Sequence, residues 1–216
     1  KEARSVPFNG RPLDPEEVDW TTLENELSGA LSAELLKTSL RRAAALAPAR
    51  PRSIRENGGG RGGSHWGGAI HLPSAKKDMI GRLGELTVRR WLNQALPDQD
   101  IDAAWKSKNA EPFTSRPGND SLGYDFEVTV GRQTWQIEVK ASLNDPQAFE
   151  MGETEVRAGR AAARARSGVQ YWVAYVSNIS TPAVARVEMI PNPMSEKGEA
   201  VLNLLGEGLR YSFRRV

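Results

Sequence analysis

Residues 121–142 read SLGYDFEVTVGRQTWQIEVKAS, and this stretch decides the fold. Apolar and polar residues alternate on both sides of Gly131-Arg132. Successive side chains of a β-strand point to opposite faces, so two alternating runs around a glycine turn predict a β-hairpin. We expect the rest of the chain to be organised around this hairpin.

Each strand of the hairpin has an apolar face and a polar face. The apolar face is formed by Tyr124, Phe126, Val128, Val130, Trp135, Ile137 and Val139. The opposite face carries Asp125, Glu138 and Lys140, which come within reach of each other if the strands pair around the turn. Two carboxylates and an ammonium group on one rigid face can hold a divalent cation and stabilise a phosphoryl anion. The alternative is a surface ion pair between Lys140 and one acid, which contributes at most ~1 kcal/mol to stability.

Length and composition limit the classes to which this protein can belong. Its 216 residues can bury one sizeable hydrophobic core, with at most a small second domain. The 29 basic and 27 acidic residues give a net charge of +2, which by itself is too small to indicate a nucleic-acid-binding protein. The absence of cysteine excludes disulfides, thiol catalysis and thiolate-bound zinc. The sequence contains no long apolar run and no signal peptide, so we expect a cytoplasmic protein that does not contact a membrane.

The N-terminal extension, residues 1–56, is predicted to be mainly helical. Residues 1–13 are polar, contain two prolines and are expected to be irregular. Apolar residues then recur at helical spacing over 15–47, with a break expected at Ser28-Gly29. This region is either a solvated amphipathic helix pair or a docking surface for another part of the protein. Because the chain begins at Lys1 rather than at Met, we expect it to be a fragment of a longer protein or a processed product.

Residues 57–72 are predicted to be a glycine-rich linker that leads into a larger domain over 73–216. The linker lacks the Gly-Lys-Ser/Thr ending of a phosphate-binding loop, and no strand precedes it. The only two histidines, His65 and His71, are too few for a histidine-based zinc site. We therefore expect neither nucleotide nor zinc binding in this segment.

A helix is predicted to begin at Ser74 and to continue to about Leu96. Its broad apolar stripe is interrupted at Gly81 and Gly84. A glycine costs ~1 kcal/mol relative to alanine inside a helix. Its presence there indicates that another backbone approaches closely. Glu85 follows at the edge of the stripe, which favours an inward-pointing carboxylate over a solvated one.

The segments around the hairpin predict further strands and helices. A short strand is expected at Ile101–Trp105 and a second helix over 153–167, where Arg157, Arg160 and Arg164 form one stripe. Strands are also predicted at 169–176, 183–190 and 209–213, with a helix near 196–205. This order indicates an α/β protein with a mixed sheet flanked by helices.

Four segments resemble the PD-(D/E)XK nuclease superfamily. They are Gly81-Arg-Leu-Gly-Glu85, Gly-Tyr-Asp125, Ile-Glu-Val-Lys140 and the segment from Phe149 to Glu155. Over about residues 76–180 the chain is similar to the nuclease-like domain found at the C-terminal end of some sacsin-type ATPases and helicase-linked bacterial defence proteins. The resemblance implies a restriction-endonuclease-like fold with an αβββαβ core and an N-terminal helical extension.

The same resemblance implies roles for individual residues. Asp125 and Glu138 match the metal ligands, and Lys140 matches the catalytic lysine. Glu85 matches a helix carboxylate that binds a second cation or a metal-bound water, or orients Lys140. Tyr124 stands where the proline of the superfamily name would be, at a position that varies. Hard oxygen ligands of this kind suit Mg²⁺ or Mn²⁺.

Two interpretations of Glu155 remain open in the sequence. An acid in the first turn of a helix suits the helix dipole. However, Gly152 stands where a hydroxyl residue would form a capping box with Glu155, so a role in the site is the alternative. The arginine stripe Arg157, Arg160 and Arg164 follows directly and is a candidate for holding the phosphates of a nucleic acid.

The resemblance therefore implies a Mg²⁺-dependent phosphodiesterase, specifically a DNA endonuclease module of a larger restriction or anti-phage defence protein. Its expected partners are nucleic acid, with DNA preferred, and an N-terminal ATPase-like or helicase-like region or partner subunit. One alternative is a catalytically silent nuclease-fold module that binds nucleic acid or a protein partner. Another is that the N-terminal helices act mainly in assembly.

Overall fold

A computed structural model describes residues 5–40, 74–144, 148–165, 168–206 and 211–215. The predicted linker at 57–72, with His65 and His71, lies outside the described residues. So does the end of the first predicted helical region, 41–47.

The central hairpin forms as predicted, with strands β3 (Phe126–Val130) and β4 (Gln133–Ala141). They pair antiparallel, with Phe126 opposite Ile137 and Val128 opposite Trp135. Gly131 makes the turn at φ +67°, a left-handed conformation that glycine adopts without steric strain. The alternating pattern therefore specified both the strand register and which face is apolar.

The hairpin belongs to a four-stranded sheet of order β3-β4-β6-β7, completed by β6 (Val169–Ser177) and β7 (Arg186–Pro191). β4 and β6 are parallel, and the other pairs are antiparallel. The parallel pair needs a crossover, which contains β5 (Ala148–Met151) and a helix, Glu153–Arg164. This mixed sheet flanked by helices confirms the predicted α/β fold class.

Two hydrophobic clusters lie on opposite faces of the sheet. One contains the buried residues of the long helix Ser74–Ala95 together with Ile137, Ala174 and Val176. The other contains Tyr171 and Val173 of β6 with Met151 and Val156 from the crossover. A small antiparallel sheet joins this second cluster, in the order β5-β9-β8, where β8 is Leu202–Gly206 and β9 is Tyr211–Arg215.

Helix labels follow chain order: α1 (Trp20–Ala30), α2 (Ala33–Lys37), α3 (Ser74–Ala95), α4 (Ile101–Ala104), α5 (Glu111–Thr114), α6 (Glu153–Arg164) and α7 (Glu196–Glu199). Short 3₁₀ turns occur at Lys108–Ala110, Asp120–Leu122 and Pro182–Val184. No helix in the described part of the chain has the length and apolar character needed to cross a bilayer.

The expectation of irregular structure over 1–13 is wrong for the described residues 5–13. They contain an antiparallel hairpin of β1 (Val6–Phe8) and β2 (Arg11–Leu13). Asn9 and Gly10 make its turn with φ of +48° and +80°. Asn-Gly is the strongest short hairpin signal in a sequence, and here it lies between Val6-Pro7-Phe8 and Leu13. The two prolines are tolerated because a two-stranded ribbon has only edge strands.

Three other predicted elements also differ from the structure. The expected strand at 101–105 is the single-turn helix α4, because Asp100 caps it by accepting a hydrogen bond from Ala103 N at 2.9 Å. Only Trp105 pairs with the sheet, through an isolated bridge to Phe126. The first helical region breaks at Leu31-Ser32 rather than at Ser28-Gly29, since Ser32 caps α2. The helix expected near 196–205 is only α7, and β8 follows it.

The N-terminal segment 5–40 packs into the same core as α3. Val6 and Phe8 of the hairpin and Leu27 of α1 are almost fully buried in that cluster. The Trp91 indole of α3 donates a hydrogen bond to the carbonyl oxygen of Thr38 at 2.7 Å. These residues therefore form part of the structural support of the sheet.

Candidate active site

The polar face of the hairpin brings Asp125, Glu138 and Lys140 together as expected. Asp125 precedes β3, and its Oδ2 accepts a hydrogen bond from the backbone N–H of Val139 at 2.7 Å. Glu138 Oε1 lies 2.8 Å from Lys140 Nζ. Both Glu138 and Lys140 are held on β4, a central strand paired on both sides, so their backbone positions are rigid.

Glu85 reaches the same place from α3, as an inward-pointing carboxylate. It is only 5% exposed. Its Oε2 accepts hydrogen bonds from the Trp105 indole at 2.6 Å and from the Ser107 hydroxyl, and its Oε1 accepts one from Asn109 Nδ2 at 2.5 Å. These three residues follow α4, in a segment in which sequence reasoning identified no functional residue. They hold the carboxylate in one orientation.

Glu155, for which the sequence left two interpretations open, has both features. Its Oε2 accepts a hydrogen bond from the backbone N–H of Gly152 at 3.0 Å, which caps the start of α6. The same oxygen lies 2.7 Å from Lys140 Nζ. A glycine at the cap position therefore supplies only half of a capping box, and the carboxylate of Glu155 also joins the polar cluster.

The buried carboxyl groups bind protons more tightly than they would in water. Burial raises the pKa of Glu138 to about 8, although the charge of Lys140 opposes this effect. Burial, followed by the charges of Glu138 and Glu85, raises the pKa of Asp125 well above its usual value. Burial likewise raises the pKa of Glu85 despite its three hydrogen-bond donors. Carboxyl groups with raised pKa values are common at functional sites.

Lys140 is the positive group inside this cluster. Burial alone would lower its pKa, but the charges of Glu138 and Glu155 outweigh burial and raise it. Lys140 is therefore a protonated donor between two acids. On the neighbouring strand β6, the Tyr171 hydroxyl donates a hydrogen bond to the Gly123 carbonyl at 2.9 Å, and burial raises the pKa of this tyrosine.

An open cleft of about 550 Å³ lies between α3, the segment 107–125 and the first turn of α6, and Lys140 is not among the residues that line it. Its acidic lining includes Glu85, Asp125, Glu138 and Glu155. Its basic lining is formed by Lys77, Arg82 and Lys108, which sequence reasoning missed. Arg82 could have been found from the sequence, because it precedes Glu85 by three residues and residues three apart on a helix are neighbours. Lys77 precedes Glu85 by eight residues. No short-range pattern points to Lys108.

The arginine stripe of α6 lies elsewhere. Arg157, Arg160 and Arg164 are exposed and do not line the cleft. Arg157 Nη2 instead donates a hydrogen bond to the Ser121 carbonyl at 3.4 Å. The small residues between them do allow close packing, since Asn192 Nδ2 donates to the Gly159 carbonyl at 2.7 Å. The stripe therefore faces solvent beside the cleft.

The carboxylates fit a cation of the Mg²⁺ type. Glu138 is buried and Asp125 is partly buried; both line one cleft and carry mutual repulsion that a divalent cation would relieve. Within the described residues, no three or more His, Asp or Glu side chains already converge as a ready-made metal cage. Mg²⁺ does not require such a cage, because one or two carboxylates, waters and substrate phosphates commonly complete its coordination. Glu85 is already held by three donors and fits a supporting role better than direct coordination.

Comparison with known protein families finds a match to part of this chain. Residues 86–189, just under half of the chain, match the family described as "Protein NO VEIN, C-terminal". The matched range begins one residue after Glu85 and contains Asp125, Glu138, Lys140 and Glu155. Neither the curated proteins nor the solved structures include a match to this chain.

Proposed function

We propose that this chain is a Mg²⁺-dependent phosphodiesterase of the PD-(D/E)XK type, with Mn²⁺ as a substitute metal. The observation that carries the proposal is that Glu85, Asp125, Glu138 and Glu155 line one open cleft, with Lys140 paired to Glu138 and Glu155 behind them. An Asp followed by Glu-x-Lys is a weak pattern alone. Its combination with an inward glutamate from the preceding helix is much harder to explain as a surface ion pair. DNA is the proposed substrate, and the host is a larger restriction or anti-phage defence protein, in keeping with the resemblance.

In this proposal Asp125 and Glu138 hold the metal. A bound divalent cation supplies Lewis-acid polarisation of the phosphate and lowers the pKa of a water ligand. The chain keeps these two carboxylates in place through the Val139 N–H and through Lys140. Glu85, fixed by Trp105 and its neighbours, orients a water in the cleft.

Lys140 acts as a donor rather than as a base. Its raised pKa keeps the ammonium protonated at neutral pH, so it is poorly suited to remove a proton from water. A fixed positive charge here stabilises the negative charge that develops on the phosphate oxygens. Glu155 holds Lys140 in position through the contact at 2.7 Å.

Plasmid cutting tests the proposal. Wild type should nick or linearise supercoiled DNA with Mg²⁺ or Mn²⁺ and not in EDTA, with single-stranded DNA and RNA as further substrates. We expect Glu138→Gln and Lys140→Ala each to reduce the rate by at least about 100-fold, on the order found for loss of a charge-stabilising group. Glu199→Gln on α7, an exposed acid outside the cleft, should cut like wild type. Cutting that persists in EDTA or in both site variants would contradict the proposal.

A catalytically silent module that binds nucleic acid or a partner is the second candidate. It is favoured by the ion pairs of Lys140 with Glu138 and Glu155, which occupy a carboxylate proposed as a metal ligand. A wild-type protein that binds DNA but cuts none of the three nucleic acids with either metal would support this candidate.

A further inference from the structure

The two arginines Arg82 and Arg89 of α3 have opposite environments. They are seven residues apart and so lie on nearly the same face of the helix. Arg89 is neutralised by two acids: its Nη1 pairs with Glu24, and its Nε lies 2.8 Å from Asp102 Oδ1. Arg82 lines the cleft, and no carboxylate of the described residues forms an ion pair with it. Arg89 thus serves packing, whereas the charge of Arg82 is not neutralised by an acid.

Two neutral groups hold Arg82 in place. Its guanidinium carbon lies 4.4 Å from the ring centroid of Trp20, the first residue of α1. Its Nε donates a hydrogen bond to Asn109 Oδ1 at 3.1 Å. An indole face and an amide oxygen orient a guanidinium without cancelling its charge. A planar guanidinium that is already oriented binds an oxyanion in a two-pronged manner at little further entropic cost.

Arg82 is also connected to the proposed catalytic cluster. The Asn109 amide that accepts from Arg82 donates through its Nδ2 to Glu85 Oε1 at 2.5 Å. Six of the nine charged residues that line the cleft are acids, which repel a polyanion. A nucleic acid that enters this cleft therefore needs fixed cations at its edge. Lys77 and Lys108 also line the cleft, although Lys108 Nζ lies 3.9 Å from Asp120 Oδ2.

We propose that Arg82 binds a backbone phosphate of the nucleic acid and that Trp20 and Asn109 position it for that contact. This inference rests on the proposed function and names the side of the site from which the substrate is held, which is α3 rather than the arginine stripe of α6. The ligand is the phosphodiester group, so the contact is independent of base sequence.

The test measures affinity without cutting. A fluorescent 20-base-pair DNA is titrated with the full chain in EDTA, by anisotropy, over a series of KCl concentrations. Arg82→Gln should weaken binding on the order of three- to tenfold. The plot of log K against log salt should become less steep by about 0.9, the value for one lost phosphate contact. Arg82→Lys should keep the slope and lose only part of the affinity, because it retains the charge without the planar fork.

The matched control is Arg90→Gln, an exposed arginine of the same helix that does not line the cleft. It should bind within twofold of wild type. Equal effects of Arg82→Gln and Arg90→Gln, or a lower melting temperature of Arg82→Gln with an unchanged salt slope, would overturn the inference. The inference would also be overturned if the wild-type protein bound none of duplex DNA, single-stranded DNA and RNA at low salt, on the order of 50 mM KCl.

The binding and cutting experiments test the role of Arg82 and the proposed function independently. Plasmid cutting without an effect of Arg82→Gln on binding would leave the phosphodiesterase proposal intact and remove the role of Arg82. Weaker, less salt-dependent binding by Arg82→Gln in a protein that never cuts would leave the phosphate contact intact and remove the catalytic proposal.

Discussion

Glu138 places a carboxyl group where little water can solvate it. It is 6% exposed, and burial raises its pKa to about 8 from an ordinary value of 4.5. Asp125 has its pKa raised by burial and by the charges of Glu138 and Glu85. Each group binds a proton more tightly in the folded than in the unfolded chain. The stability that this protonation provides is present at low pH and is lost as the pH rises.

The metal-free protein should therefore become less stable between about pH 4.5, the ordinary value for a glutamate, and about pH 8. Thermal unfolding in EDTA across this range measures the effect, and Glu138→Gln should flatten the dependence. Adding MgCl₂ should raise the melting temperature more at pH 8 than at pH 6, because metal ligands must be deprotonated. A melting temperature that rises with pH in EDTA, or that does not change when Mg²⁺ is added at pH 8, would contradict the proposed roles of Asp125 and Glu138.

The packing of α3 on the sheet depends on one of its two internal glycines. A methyl group at Gly84 would lie 2.5 Å from Ala141 Cβ of β4, whereas one at Gly81 would meet nothing within 4 Å. The expectation that a helical glycine marks close backbone approach is thus confirmed at Gly84 but not at Gly81. The close approach also brings the next residue, Glu85, against the sheet that carries Glu138.

Alanine at the two glycines should have opposite effects. Gly84→Ala should lower the free energy of unfolding by ~1–3 kcal/mol, since α3 must move away from β4. Gly81→Ala should leave it unchanged or raise it by up to ~1 kcal/mol, because alanine favours the helix. Urea denaturation of the two variants measures the difference. A similar free energy of unfolding for both would show that α3 does not depend on this contact.

At the scale of the whole molecule, the N-terminal segment and the sheet share one hydrophobic cluster. Leu23 and Leu27 of α1 are buried with Leu83 and Trp91 of α3. Trp20 of the same helix also contacts Arg82 at the cleft. The docking surface considered from the sequence is therefore occupied, at least in part, by α3 of the same chain.

Leu27→Ala should therefore destabilise the whole fold rather than release only the N-terminus. The expected cost is ~2–5 kcal/mol, the range for a buried leucine that leaves a cavity. Unfolding followed by far-ultraviolet circular dichroism and by tryptophan fluorescence should remain a single coincident transition. Val184→Ala, at a side chain that is 57% exposed, should change stability by less than about 0.5 kcal/mol. Two separate transitions in Leu27→Ala would mean that the segment is an independent unit.

The sequence alone determined the features that depend on neighbours in the chain. Alternation around Gly131 specified the hairpin, its register and the shared face of Asp125, Glu138 and Lys140. Helical periodicity specified α3 and the position of Glu85 on it. These are local rules, in which the spacing of side chains follows from the geometry of a strand or a helix. The first hairpin is equally local, since Asn9-Gly10 makes its turn, although the two prolines favour irregular structure.

The tertiary structure alone decided how the site is completed. Glu85 finds donors 20 to 24 residues away, in Trp105, Ser107 and Asn109, and Lys140 finds Glu155 15 residues away. The guanidinium of Arg82 is positioned by Trp20, and the glycine-rich stretch separates the two residues in the sequence. No spacing rule connects residues so distant, because their contacts depend on how packed elements meet. The exposed position of the α6 arginines was likewise decided by packing. The sequence specified that they share one face of the helix, but not whether that face lines the cleft or contacts solvent.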